Sequence, residues 1–74
     1  MKTSEALREA MKIKNVSVSR MADRIGKSSR LVCERIGQEN ISVSKLQEML
    51  RVLDYKIVIL PREARLPDGG FEIE

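Results

Sequence analysis

Apolar residues return every three or four positions through most of this chain, and residues that start or stop helices punctuate the pattern. In residues 4–14, SEALREAMKIK, one face carries Leu7, Ala10 and Met11 together with the aliphatic stem of Lys14. A helix is predicted there, with Thr3 or Ser4 as its cap and Asn15 at its close. Glu5, Arg8, Glu9 and Lys12 fall on its outer face and read as solvated, which gives this helix a structural job. Val16 is placed to pack as a staple over the next start. Ser17 caps a helix over 18–25 that holds Met21, Ala22 and Ile25 inward, and Gly26 ends it, since glycine takes the left-handed stop position at least steric cost. Two residues on, Ser28 caps a third helix over 29–36 with Val32 and Ile36 inward. The turn between these two helices is short, so they must approach closely, and Ala22 leaves room for that. After a loop over 37–41, Ser42 caps a fourth helix over 43–53 with Leu46, Met49, Leu50 and Leu53 at helical spacing. Asp54 follows the last apolar position of this helix.

The period then changes. Residues 55–60, YKIVIL, are dense in β-branched side chains and end at Pro61, so they read as a strand. Ile57 and Ile59 lie on one face and Val58 and Leu60 on the other. A strand apolar on both faces needs a second cover, from the tail of the same chain or from another subunit. The tail offers Phe71 and Ile73 alternating with Glu72 and Glu74, after the turn signal of residues 67–70, PDGG. The expected architecture is therefore mainly α: a four-helix domain over 1–54 containing a helix-turn-helix, and a β extension over 55–74 as a short strand or hairpin. Tyr55, Ile57, Val58, Ile59, Leu60, Phe71 and Ile73 are its candidate contacts to a second subunit.

A chain of 74 residues buries only a small core, which makes a partner copy a reasonable expectation. Aromatics make up only 3%, so the core must be aliphatic. One cysteine and no histidine exclude an internal disulfide and leave no set of ligands for zinc, so no metal or cofactor is expected. With no Gly-rich phosphate loop and with carboxylates scattered over solvent faces, an enzyme is not expected either. No apolar run approaches a membrane span and no export signal opens the chain, so a cytoplasmic location is expected. The net charge of +3 is unevenly spread. Residues 1–60 hold 12 Lys or Arg against 7 Asp or Glu, whereas residues 61–74 hold 2 against 4. The basic excess thus lies on the helical part, as a phosphate-facing surface requires.

Residues 4–60 resemble the phage repressor and Cro (XRE-like) family of helix-turn-helix proteins, and within it short prophage-type regulators. The resemblance rests on Met21 and Ala22, on Ile25 through Ser28 in the turn, on Val32, on Asn40 through Val43, and on Leu50, Leu53 and Tyr55. The chain departs from the family pattern at Val18, where a phosphate-binding glutamine is usual, and at Arg35, usually apolar. The resemblance implies a lambda-repressor-like fold and a homodimer that binds double-stranded DNA to regulate transcription. It places Ser29, Arg30 and Glu34 at the base edges, with Cys33 on the same exposed face and its thiol open to a base-methyl contact, a redox role or none. Arg30 suits guanine O6 and N7, and Glu34 either accepts from cytosine N4 or steadies the guanidinium. As a plain surface ion pair, the same two residues would contribute only a few tenths of a kcal/mol. Phosphate contacts are expected from Ser17, Ser19 and Arg20, from Lys27 and Ser28 in the turn, and from Ser42, Ser44 and Lys45. Two other readings stand beside this one: an antitoxin whose tail grips a toxin, and a protein-interaction module that does not touch DNA.

Overall fold

A computed structural model describes residues 1–73 and consists of four α-helices: α1 Thr3–Ile13, α2 Val18–Ile25, α3 Ser29–Gly37 and α4 Val43–Val52. Glu74, the last residue of the alternation expected in the tail, lies outside the described residues. Three of the four starts follow the serine signals. The hydroxyl oxygens of Ser17, Ser28 and Ser42 accept from the backbone N–H groups of Arg20, Leu31 and Lys45 at 3.2, 3.2 and 3.3 Å. The start of α1 differs from expectation: Lys2 takes the cap position without a side-chain bond, and both Thr3 and Ser4 lie inside the first turn. Glu5 in that turn complements the positive end of the helix instead.

Three of the four helix ends, those of α1, α2 and α4, repeat one device. The N–H groups of Val16, Lys27 and Tyr55 reach back five residues to the carbonyls of Met11, Ala22 and Leu50, each at 2.9 Å. That closure needs a left-handed residue just before the donor. Gly26 supplies it at φ +68°, and Asn15 and Asp54 supply it at φ 55° and 61°. Asp54 is therefore held in a conformation that aspartate resists, with the burial of Leu53 beside it to hold it there.

The core is one cluster in which Leu7, Met21, Val32, Met49 and Leu53 are fully enclosed. Helix α2 packs on both α3 and α4, while α1 packs on α3. Ala22 lies in the middle of this arrangement, buried on the inner face of α2. Ala22→Leu should overpack the contact and cost about 1–3 kcal/mol, a large part of the roughly 4–11 kcal/mol that a domain of this length holds. A melting temperature equal to that of the parent protein would mean the helices can part at no cost.

Arg35 explains its own departure from an apolar pattern. Its side chain is only 11% exposed, and its guanidinium is hydrogen-bonded and ion-paired to Glu48 on α4. The Arg35 hydrogen bond, with the charges of Arg35 and Lys27, outweighs burial and holds the Glu48 carboxyl below its ordinary value of 4.5. A carboxylate lowered by folding contributes stability above its unfolded value and loses it as the pH falls through the folded value. Between pH 6 and 3 the parent protein should therefore lose more melting temperature than Glu48→Gln does. Parallel pH profiles for the two would show that the pair does not stabilise the fold.

The tail departs furthest from expectation. Among the described residues no strand forms, and no ladder of backbone bonds joins residues 55–60 to 71–73. Two turns intervene instead, closed by the N–H of Ala64 on the carbonyl of Pro61 and that of Gly70 on Pro67, each at 3.0 Å. The chain returns by a side-chain contact: the Phe71 ring sits 6.1 Å from that of Tyr55, tilted by 47°, and Lys14 Nζ lies 5.3 Å from the Tyr55 ring centre. Tyr55 and Phe71 both pack on the core. A strand needs a neighbour at ladder distance, and this return places rings, not backbone, beside residues 55–60. Ile57, Val58, Ile59 and Leu60 remain exposed, with Ile59 at 95%. Among the described residues no helix is long and apolar enough to cross a membrane.

Candidate nucleic-acid interface

Helix α3 buries Val32 and Ile36 against the core and turns Ser29, Arg30, Cys33 and Glu34 outward, all exposed. The inward pair lies at i and i+4, and the outward four fill the opposite arc, so the spacing of Val32 and Ile36 decides which side chains face solvent. Arg30 Nε lies 3.5 Å from Glu34 Oε1, with the arginine side chain 90% exposed. The guanidinium is thus open to solvent, and an arginine so placed can make a bidentate contact to a guanine edge. An exposed i, i+4 pair of this kind adds at most a few tenths of a kcal/mol to stability.

Around this face the expected phosphate contacts are all exposed: Ser17, Ser19 and Arg20 at the start of α2, Lys27 and Ser28 in the turn, and Ser42, Ser44 and Lys45 at the start of α4. Three helix N-termini, each with uncompensated N–H groups and a serine cap whose hydroxyl can still donate, belong to one domain. No acidic residue lies in the first turn of α2, α3 or α4, so none competes with an incoming anion. Cys33 carries a free, exposed thiol beside the reading positions.

Two cations assigned to a solvated face by the sequence are drawn into this region by the fold. Arg8 and Lys12 line an open groove of about 420 Å³ with Ser17 and Cys33, above a floor of Met11, Val16, Val18 and Ile36. A hollow of about 410 Å³ continues it along Lys12, Asn15, Ser17 and Arg20. The signal in the sequence was the i, i+4 repeat of like charge on α1, which isolated helices disfavour. It could not be placed without knowing that α1 packs on α3. The dimer candidates are split by the structure: Ile57, Val58, Ile59, Leu60 and Ile73 are exposed, whereas Tyr55 and Phe71 are partly covered by their own chain. No protein-family model, no curated protein and no solved structure matches this chain.

Proposed function

We propose that this chain is a DNA-binding transcriptional regulator with a lambda-repressor-like helix-turn-helix, of the prophage type, acting in the cytoplasm as a homodimer on a two-fold operator. The observation that carries the reading is the outward face of α3, where Arg30 and Glu34 stand exposed 3.5 Å apart while the helix is held from behind by Val32 and Ile36. With α3 in the major groove, Ser29, Arg30 and Glu34 meet base edges, and the N-terminal ends of α2 and α4 meet the flanking phosphates through Ser17, Ser19, Arg20, Lys27, Ser42, Ser44 and Lys45. Phosphates hold the register and base edges supply the choice.

Selection of bound sequences from random duplex DNA tests this directly. A two-fold motif with a guanine in each half-site should be enriched; a pool that stays random after several rounds would end the proposal. Roles can be separated in the same assay. Arg30→Ala should cost about 1–3 kcal/mol at the preferred guanine and relax choice there, while Lys45→Ala should weaken all sequences alike. Equal losses with unchanged preference in both variants would show that the roles are misassigned.

The exposed apolar run Ile57 to Leu60 favours a protein contact in addition to DNA. In the homodimer a second copy covers it. An antitoxin would use the same run for a toxin, and co-purification of the protein with a neighbour-encoded chain separates the two readings.

A further inference from the structure

We infer that the groove between α1, the start of α2 and α3 holds the sugar-phosphate backbone of duplex DNA, with Arg8 and Lys12 as its phosphate ligands. The inference rests on the reading of α3 as the base-reading helix and extends the DNA contact to a helix the sequence gives only a structural job. Its basis is the composition of the groove. Arg8 and Lys12 line it and Arg20 lines the hollow that continues it, none with an ion-pair partner among the described residues. Lack of an ion pair does not set these cations apart, since Arg24, Lys27, Lys45, Arg51 and Lys56 have none either among the described residues; what does is that no carboxylate lines the groove or the hollow beyond it. Two cations on the groove and a third on the adjoining hollow, beside the N–H groups at the start of α2, favour an anion there. The floor of Met11, Val16, Val18 and Ile36 is apolar, which suits the carbon face of a deoxyribose better than a free phosphate ion. The groove is also open to solvent rather than enclosed, as contact with a continuous strand requires. Cys33 joins the two regions, since it lines the groove and lies on the outward face of α3. A duplex that brings its base edges to Arg30 therefore runs one of its strands past Cys33 toward Arg8 and Lys12.

The test is the salt dependence of binding to a short duplex of mixed sequence, where phosphate contacts alone determine the affinity. The double variant Arg8→Gln with Lys12→Gln should lower the slope of log affinity against log salt by about two per protomer if both cations neutralise a phosphate each, since each phosphate neutralised on B-DNA contributes about 0.9. Arg8→Lys, which keeps the charge, should keep the slope. Arg62→Gln with Arg65→Gln removes the same charge from the tail and should leave the slope unchanged. A slope equal to the parent's in the Arg8 and Lys12 variant would overturn the inference, as would equal falls in both double variants, which indicate diffuse charge rather than a site. Parent protein that ignores duplex DNA altogether would remove the functional reading itself, whereas parent binding with an unaltered variant removes only this groove. Circular dichroism verifies that the variant keeps its helices. If it does not, the side-chain NMR signals of Arg8 and Lys12 in the parent protein decide: they should move on addition of duplex, and signals that stay in place would refute the groove.

Discussion

Affinity of the parent protein for its operator should fall about a thousandfold or more between 50 and 200 mM salt. The expectation follows from which groups face outward around α3. Arg20, Lys27 and Lys45 are exposed, with exposed serines beside them, at the starts of α2 and α4 and in the turn before α3. A dimer presenting this surface twice makes on the order of six to ten phosphate contacts, each of which releases counterions from the duplex. Net charge alone would not predict this, because +3 is small for a chain of 74 residues. Distribution decides, since residues 1–60 carry the excess and the tail carries the deficit. Fluorescence anisotropy on a labelled duplex gives the slope directly. Binding that is insensitive to salt would be incompatible with a phosphate-led interface and would leave apolar contact as the source of affinity.

Val58→Lys should yield a monomer that keeps its helical signal and binds a two-fold operator at least about a hundredfold more weakly. One helix-turn-helix covers few base pairs, and a two-fold site needs two reading helices held about one turn of DNA, near 34 Å, apart. Losing the link between two copies forfeits an effective-concentration gain of about 10²–10⁴. The contact has to be self-complementary, and residues 57–60 qualify on two grounds. Their side chains are exposed, with Val58 at 54% and Ile59 at 95%, and their backbone makes no ladder among the described residues. Pairing of this stretch with its copy would complete the strand that the single chain leaves unformed, with Ile73 at the margin and Phe71 kept largely on its own Tyr55. Lysine at 58 sets two charges against each other across that contact, while Val58→Thr should alter it only mildly. Sedimentation at equal concentration distinguishes the outcomes. A Val58→Lys protein that stays dimeric would move the contact to α4, where Val43 is 67% exposed, and leave the tail as a cover for its own core.

Much of the fold was legible because it is local. Serine hydroxyls at 17, 28 and 42 cap the helices that follow them, and left-handed residues at 15, 26 and 54 end those that precede them. Such bonds span three to five residues, so the sequence alone carries the information. The helical period likewise separated Val32 and Ile36 from Ser29, Arg30, Cys33 and Glu34, and the solvent exposure of the candidate reading face followed from it. The cap of α1 was misplaced because Thr3, Ser4 and Lys2 stand within one turn of each other, and local signals do not rank neighbours that close.

What the tertiary structure decided concerns residues far apart in sequence. Arg35 looked out of place until α4 brought Glu48 beside it, 13 positions away. Arg8 and Lys12 looked merely solvated until α1 packed on α3 and set them along the groove that contains Cys33. The β-branched run from Tyr55 to Leu60 determined a preference for extended chain, but a strand exists only with a partner at ladder distance, and the return path through Pro61 and Pro67 brings Phe71 to the Tyr55 ring instead. Local hydrogen bonds and side-chain period are properties of neighbouring residues, whereas pairing, grooves and ion pairs between helices depend on how elements meet, and only packing sets that.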